Sequence, residues 1–193
     1  MSTHELSPAQ QQKSSAILEA ARQHFAKHGF EATKLSDVAQ DAGVAVGTIY
    51  LRYEGKAELL QGVLDNVETA FCEAMDTAAI WETTFPERFE MIIVAMFETA
   101  DQQTHFAELM ALSGFSAKPT NMQKSPILSK IEAHIHDGIA RGELRNDIDP
   151  PLAARMAHGM VDGAMRELMT NKMQDPVVTI SHITDAYARW LIK

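Results

Sequence analysis

Between Ala42 and Tyr53 the chain reads AGVAVGTIYLRY, twelve residues with two tyrosines and no carboxylate in a protein whose formal net charge is -9. Thr48 supplies a hydroxyl, Tyr50 a phenol, Arg52 a guanidinium and, four residues further on, Lys56 an ammonium. Groups of this kind hydrogen-bond phosphate oxygens, and an aliphatic side chain such as Leu51 suits a thymine methyl. The chemistry they predict is capture of a polyanion. Val46, Gly47 and Leu51 are open to two readings, facing a nucleic-acid groove or covering a neighbouring helix.

Helical spacing must position these groups. At about 100° per residue, Ile49 and Tyr53 share the inner face of a short third helix running from about Ala45 to Arg52, and Gly47, Thr48, Tyr50 and Leu51 lie opposite. A first helix is expected from about Ser14 to Lys27, with Ile17, Leu18, Ala21 and Phe25 in one stripe and His28-Gly29 closing it. Thr33 is placed to cap a second helix that carries Leu35, Val38 and Ala39, has Asp37 in its first turn and ends at Gly43. Two short helices joined through Ala42-Gly43-Val44 have the dimensions of a helix-turn-helix, whose second helix enters the major groove. A long fourth helix starts near Gly55 and runs through Leu59, Leu60, Val63, Leu64, Val67 and Phe71. Lys56 in its first turn opposes the helix dipole, at a cost of about 0.3 kcal/mol or more without a partner, and a phosphate bound there reverses the sign.

The acidic balance is unevenly spread. Residues 1–60 carry six Lys/Arg against seven Asp/Glu, whereas residues 61–193 carry eleven against nineteen. Screening over a Debye length of about 8 Å keeps distant carboxylates from opposing a local phosphate contact. No apolar run approaches the roughly 20 residues of a membrane span, and the polar start MSTHELSPAQQQK lacks the order of a secretory signal, so a cytoplasmic location is expected. A single cysteine, Cys72, excludes an internal disulfide and reads as an inert core thiol.

Further helices follow, with breaks at residues 84–86, 101–104, 116–126, 142–151 and 174–176. The fold expected is all-α with about nine helices: an N-terminal three-helix helix-turn-helix domain and a C-terminal helical bundle for ligand binding and dimerisation. The boundaries expected are a flexible arm over residues 1–12, the helix-turn-helix domain over 13–54 and the bundle over 55–193.

From Ile17 to Leu60 the chain reads ILEAARQHFAKHGFEATKLSDVAQDAGVAVGTIYLRYEGKAELL. This closely resembles the DNA-binding domain of the tetracycline-repressor (TetR) family, with the pattern ILxAAxxLFxxxGFxxTTxxxIAxxAGVSxGTxYxHFxxKxxL, and aligns without a gap. The resemblance covers about a quarter of the chain. It implies DNA contacts from Thr33, Lys34, Ser36, Ala45, Val46, Gly47, Thr48, Tyr50, Leu51, Arg52 and Lys56. Lys34 stands where the pattern has its second threonine, Ala45 replaces a serine, Arg52 a histidine and Tyr53 a phenylalanine. Ala45 loses an N-cap worth about 1 kcal/mol, and Lys34 and Arg52 add charges able to hold phosphate. With Lys56 they make three phosphate candidates per subunit, or six per dimer, and predict a slope of log affinity against log salt of about -5.

The remaining chain resembles the family in architecture, including the GELRNDIDPPLAARMAHGMVDGAM stretch. Its methionines and phenylalanines are mostly core, and they leave room for a flexible apolar effector. The candidates are Val67, Phe71, Phe89, Ile93, Met96, Phe106, Met110, Phe115, His158 and Met160. Gly159 and Gly163, four apart on a helix rich in alanine, permit close helix packing. In the family the last two long helices form a homodimer interface, to which Ile180, Ile183, Tyr187 and Trp190 would add apolar surface. Packing within one subunit is the competing reading. His134 and His136 point in different directions on a helix, and no metal site, cofactor or catalytic residue is expected.

These features predict a one-component transcriptional regulator, expected to repress, that binds a palindromic double-stranded DNA operator as a homodimer and is released by a small-molecule effector. A helical enzyme carrying an appended reader, or a protein-interaction module retaining the fold, are the alternatives. Neither a nucleophile–base pair nor a phosphate loop supports the first of these.

Overall fold

Proline and capping side chains punctuate a chain that is otherwise helical. The computed structural model describes residues 7–79, 83–103, 105, 108–109, 112, 125–171 and 176–192, with residues 168–171 described by backbone alone. Every regular element among them is an α-helix: α1 (Pro8–Ala32), α2 (Leu35–Asp41), α3 (Val46–Tyr50), α4 (Lys56–Ala78), α5 (Phe85–Gln102), α6 (Pro126–Ala140), α7 (Pro150–Asn171) and α8 (Pro176–Leu191). Eight helices have described bounds and residues 108, 109 and 112 are helical as well, in agreement with the nine or so expected. No described helix is long and apolar enough to cross a membrane.

Two compact units make up the chain. The first comprises the described parts of Met1–Val67 and His105–Pro119, the second those of Glu68–Thr104 and Thr120–Lys193. In the first unit α1 packs on α2 and α2 on α3, around Ile17, Ala21, Phe25, Val38 and Ile49, all buried. α1 begins earlier than its apolar stripe suggests. Ser7 and Gln10 form a reciprocal capping box, and Pro8 stands at the helix start, where its missing N–H costs nothing. Residues 8–12 are thus helical and not an arm. The backbone breaks from helical geometry at Gly29, at φ 75°, before one further turn reaches Ala32.

In the second unit α6 packs on α7, α5 on α8, and α7 on α8. The Glu87 carboxylate caps α5, accepting from the Thr84 N–H at 2.9 Å and hydroxyl at 2.7 Å. These bonds hold its carboxyl below the usual range. α6 ends in a Schellman motif, with Gly142 at φ 72° and the Glu143 N–H donating to the Gly138 carbonyl at 2.9 Å. Arg88, buried at the start of α5, donates to Glu143 Oε2 at 2.6 Å and to the Thr83 carbonyl. Cys72 is buried, and burial pushes its thiol pKa up.

Candidate nucleic-acid interface

The turn between α2 and α3 is set by one glycine. Gly43 adopts φ 65°, its N–H donates to the Gln40 carbonyl at 3.1 Å, and the Val44 N–H donates to the Ala39 carbonyl at 2.9 Å. This is the Schellman closure that a left-handed glycine permits. It turns the chain sharply enough to start α3 at Val46, where the Thr48 N–H donates to the Ala45 carbonyl at 2.8 Å. Ala45 caps α3 without a side-chain bond. The helix is shorter than expected, spanning Val46–Tyr50, with Leu51 as its C-cap.

One side of α3 is anchored. Ile49 is fully buried and Tyr53 half-buried. Burial pushes the Tyr53 phenol pKa up. Its ring meets α4 at Gly62, where a Cβ would lie 2.9 Å from Tyr53 Cε1, so glycine lets α4 approach. The opposite side is open: Val46 is 43% exposed, Tyr50 56% and Leu51 86%. Gly47 is exposed and Thr48 half-buried. A short helix that leaves three apolar or aromatic side chains in solvent has a surface to offer, and these five positions fall on one contiguous face.

Of the three cations expected to hold phosphate, two are engaged within the protein. Arg52 turns onto α1, where Nη1 donates to Ser14 Oγ at 3.0 Å and Nη2 to the Gln10 carbonyl at 3.0 Å. Lys56 Nζ donates to the Glu31 carbonyl at 2.8 Å and lies 4.7 Å from the centre of the Phe30 ring. Its supposed lack of a partner at the start of α4 is therefore answered within the protein, by a carbonyl and a cation–π contact. Lys34 is exposed, at the N-cap position of α2. Ser36 is exposed as well, and its hydroxyl donates to Asp37 Oδ1 at 3.0 Å.

Thr33 corrects the sequence reading. It is buried, 3% exposed, and its hydroxyl donates back to the Gly29 carbonyl at 2.7 Å and the His24 carbonyl at 3.1 Å. The hydroxyl therefore closes the end of α1 and leaves α2 without a side-chain cap. Ser14, Gln10, Phe30 and Glu31, which the sequence reading passed over, are the residues that fix the two cations. Their contacts span up to 42 positions, beyond the reach of any local pattern.

In the second unit the apolar candidates are packed. Phe71, Phe89, Ile93 and Met96 are buried, as is Val67 in the first unit. Phe89 stacks between Phe85 at 5.9 Å and Tyr187 at 4.7 Å. His158 and Met160 are half-buried on α7. Phe106, Met110 and Phe115 lie outside the described residues. A cavity of about 570 Å³ opens elsewhere, along α5, with Val94, Met165 and Val177 among its walls and none of the candidate effector residues.

The dimer candidates divide in two. Ile180 and Tyr187 are buried inside the subunit, the Tyr187 hydroxyl donating to the Ala153 carbonyl at 2.7 Å, so they belong to the α7–α8 core and not to an outer face. Trp190 is half-buried against Tyr187 and 5.8 Å from the Arg145 guanidinium. Gly159 and Gly163 point outward, with no described atom within 4 Å of a Cβ built on either. Leu152 and Met156 extend that stripe in solvent at i, i+4 spacing, and Ile183 on α8 is half-buried.

Comparison with known proteins gives a consistent result. Residues 17–63 match the family described as bacterial regulatory proteins, tetR family. The HTH-type transcriptional regulator YhgD of Bacillus subtilis, itself uncharacterized, is 31% identical over 146 residues, covering 72% of this chain and 74% of its own. The fatty acid metabolism regulator protein of Bacillus subtilis is 25% identical over 171 residues, covering 86% of this chain and 88% of its own. Among solved structures, the transcriptional regulator FadR from Bacillus subtilis in complex with stearoyl-CoA shares the fold at a TM-score of 0.77 and 23% identity, over 90% of this chain and 97% of that one.

Proposed function

This chain belongs to the tetR family of bacterial regulatory proteins, and from that premise we propose that the exposed face of α3 reads a palindromic operator as part of a homodimer. The protein is a helix-turn-helix transcriptional regulator. What carries the finer reading is the outward set Val46, Gly47, Thr48, Tyr50 and Leu51 on a helix that Ile49 anchors from behind. Thymine methyls meet the aliphatic side chains, and the Thr48 and Tyr50 hydroxyls reach phosphate or base edges. Lys34 supplies the phosphate charge, and Arg52 and Lys56 hold the module in shape. Two such helices about a two-fold axis read half-sites about 34 Å apart.

The helical body takes an apolar small molecule as effector. The related Bacillus subtilis protein regulates fatty acid metabolism, and the structure that shares the fold contains stearoyl-CoA. Release then passes through α4, a single helix with Lys56 at one end and Phe71 near the other. A typical coupling of about 1–3 kcal/mol lowers operator affinity about 5- to 150-fold.

Selection from random duplex DNA with the purified protein tests the reading. Enrichment of one palindrome, lost in the Tyr50→Ala variant, supports it. Recovery of no palindrome overturns it, as does a Tyr50→Ala variant that selects the same site equally well.

A further inference from the structure

α3 is five residues long, too short for its own hydrogen bonds to set the angle at which it stands, so its neighbours must. Ile49 holds it from within. Tyr53, just past its end, holds it through the backbone: the Tyr53 N–H donates to the Ile49 carbonyl at 2.9 Å, so the last turn of α3 follows wherever the Tyr53 side chain is seated. That seat is on α4.

Gly62 lies in the second turn of α4, which runs unbroken from Lys56 to Ala78. Nothing in the backbone calls for a glycine there. The described glycines with positive φ are Gly29, Gly43 and Gly142, and a glycine inside a helix disfavours it by about fivefold relative to alanine. Space accounts for it instead. A Cβ on Gly62 would lie 2.9 Å from Tyr53 Cε1, 3.4 Å from Tyr53 Cζ and 3.4 Å from Leu18 Cδ2 of α1. Among the described glycines of the first unit, no other Cβ so placed meets a neighbour within 4 Å.

We propose that Gly62 is a positioning residue for operator binding, given the reading of α3 as the operator-facing helix: the room left by its missing side chain seats the Tyr53 ring against α4, and that seat fixes the angle at which α3 presents Val46, Tyr50 and Leu51. A methyl at position 62 forces the ring back by at least about 0.6 Å to reach an ordinary carbon–carbon contact. Leu18 stands on another side of that methyl, and the Tyr53 backbone carries the displacement into α3. Hydrogen bonds to base edges are directional and weaken with such a tilt, whereas phosphate attraction to the exposed Lys34 ammonium tolerates it. Gly62→Ala therefore separates two kinds of binding. Affinity for the operator falls, and affinity for unrelated duplex stays.

Fluorescence anisotropy with the full chain and two labelled duplexes, one carrying the selected palindrome and one of unrelated sequence, tests this. Gly62→Ala should bind the palindrome at least about tenfold more weakly, the loss of one base contact or more, and unrelated duplex within about twofold of the wild type. Tyr53→Leu removes the ring, so adding Gly62→Ala to it should change palindrome affinity by less than about twofold. In a Tyr53→Phe background, which keeps the ring, the full loss should return. Tyr53→Leu alone empties the seat and should itself lose selectivity for the palindrome over unrelated duplex, which decides the matter if Gly62→Ala does not fold. Gly62→Ala binding the palindrome like the wild type overturns the proposal, as does a loss that falls equally on both duplexes or one that persists undiminished beside Tyr53→Leu. A Tyr53→Leu variant with wild-type selectivity overturns it too. Selection that recovers no palindrome sinks the operator reading and this proposal with it, so the two failures are told apart by whether a palindrome exists.

Discussion

Arg52 and Ser14 are joined across 38 positions: Nη1 of the residue just past α3 donates at 3.0 Å to a hydroxyl of α1, and Nη2 reaches the Gln10 carbonyl on the same helix. A guanidinium used as a fork between two helices fixes where α3 stands, which is a different task from neutralising phosphate. Arg52→Gln should therefore weaken operator binding while leaving its salt dependence nearly unchanged. Lys34→Ala, which removes an exposed charge, should make the slope of log affinity against log salt shallower by about 1 per subunit. With only Lys34 releasing counterions the wild-type slope of a dimer is about -2. A measured slope near -5 would mean that Arg52 and Lys56 leave their protein partners for DNA.

Thr33 predicts a stability effect where the family pattern suggested a DNA contact. Its buried hydroxyl donates toward two carbonyls at the end of α1, Gly29 and His24. Thr33→Val keeps the shape but strips both carbonyls of that donor, at a cost of about 1–2 kcal/mol. Urea denaturation should show the loss, and the salt slope of operator binding should be unaltered. An unchanged urea midpoint would show that the hydroxyl contributes nothing there.

The contrast between Thr33 and Lys34 indicates how far the sequence is legible. Helix periodicity, the left-handed glycines at 29 and 43 and the inward side of α3 all follow from local spacing, and the structure agrees on each. The Ser7 capping box lies outside the apolar stripe that marks α1, so the stripe alone places the start of the helix too late. Side-chain destinations do not follow from local spacing. Arg52 and Lys56 reach partners 42 and 25 positions away, and nothing in a short window marks Gln10 or Glu31 as a carbonyl with a guest. Tyr187 and Ile180 share the apolar period of α8 with Ile183, so periodicity alone did not separate the face packed on the subunit from the one turned away. Three-dimensional packing decides that.

Acid should weaken the second unit through His134. Burial, reinforced by the Arg88 charge and partly offset by Asp137 and Asp76, lowers its pKa from the ordinary 6.5. The unfolded chain then takes up the proton first as the pH falls, so the stability that His134 contributes is complete above about 6.5 and is lost below it, down to the depressed native value. Urea midpoints measured at pH 7.5 and 5.5 should differ in the wild type. The difference should shrink in His134→Gln, which cannot titrate, and a variant with the same acid sensitivity would assign the effect to other groups.

The outward stripe of α7 separates assembly from folding. Tyr187 lies on the inner side, so Tyr187→Phe, which leaves the Ala153 carbonyl without its buried partner, should cost about 1–2 kcal/mol and leave self-association untouched. Gly159 and Gly163 face the other way, and a side chain built on either meets no described atom of its own subunit. Gly163→Arg should therefore preserve the fold, and the helix itself gains up to about 1 kcal/mol from losing a glycine. A second copy packed closely on Leu152, Met156, Gly159 and Gly163 has no room for that arginine. Sedimentation equilibrium should then show a dimer dissociating at least about 100-fold more readily, with an undiminished thermal midpoint for the monomer. If Gly163→Arg dimerises like the wild type, the small-residue stripe is not where two copies meet, and the two-fold symmetry expected of the operator has to come from another face.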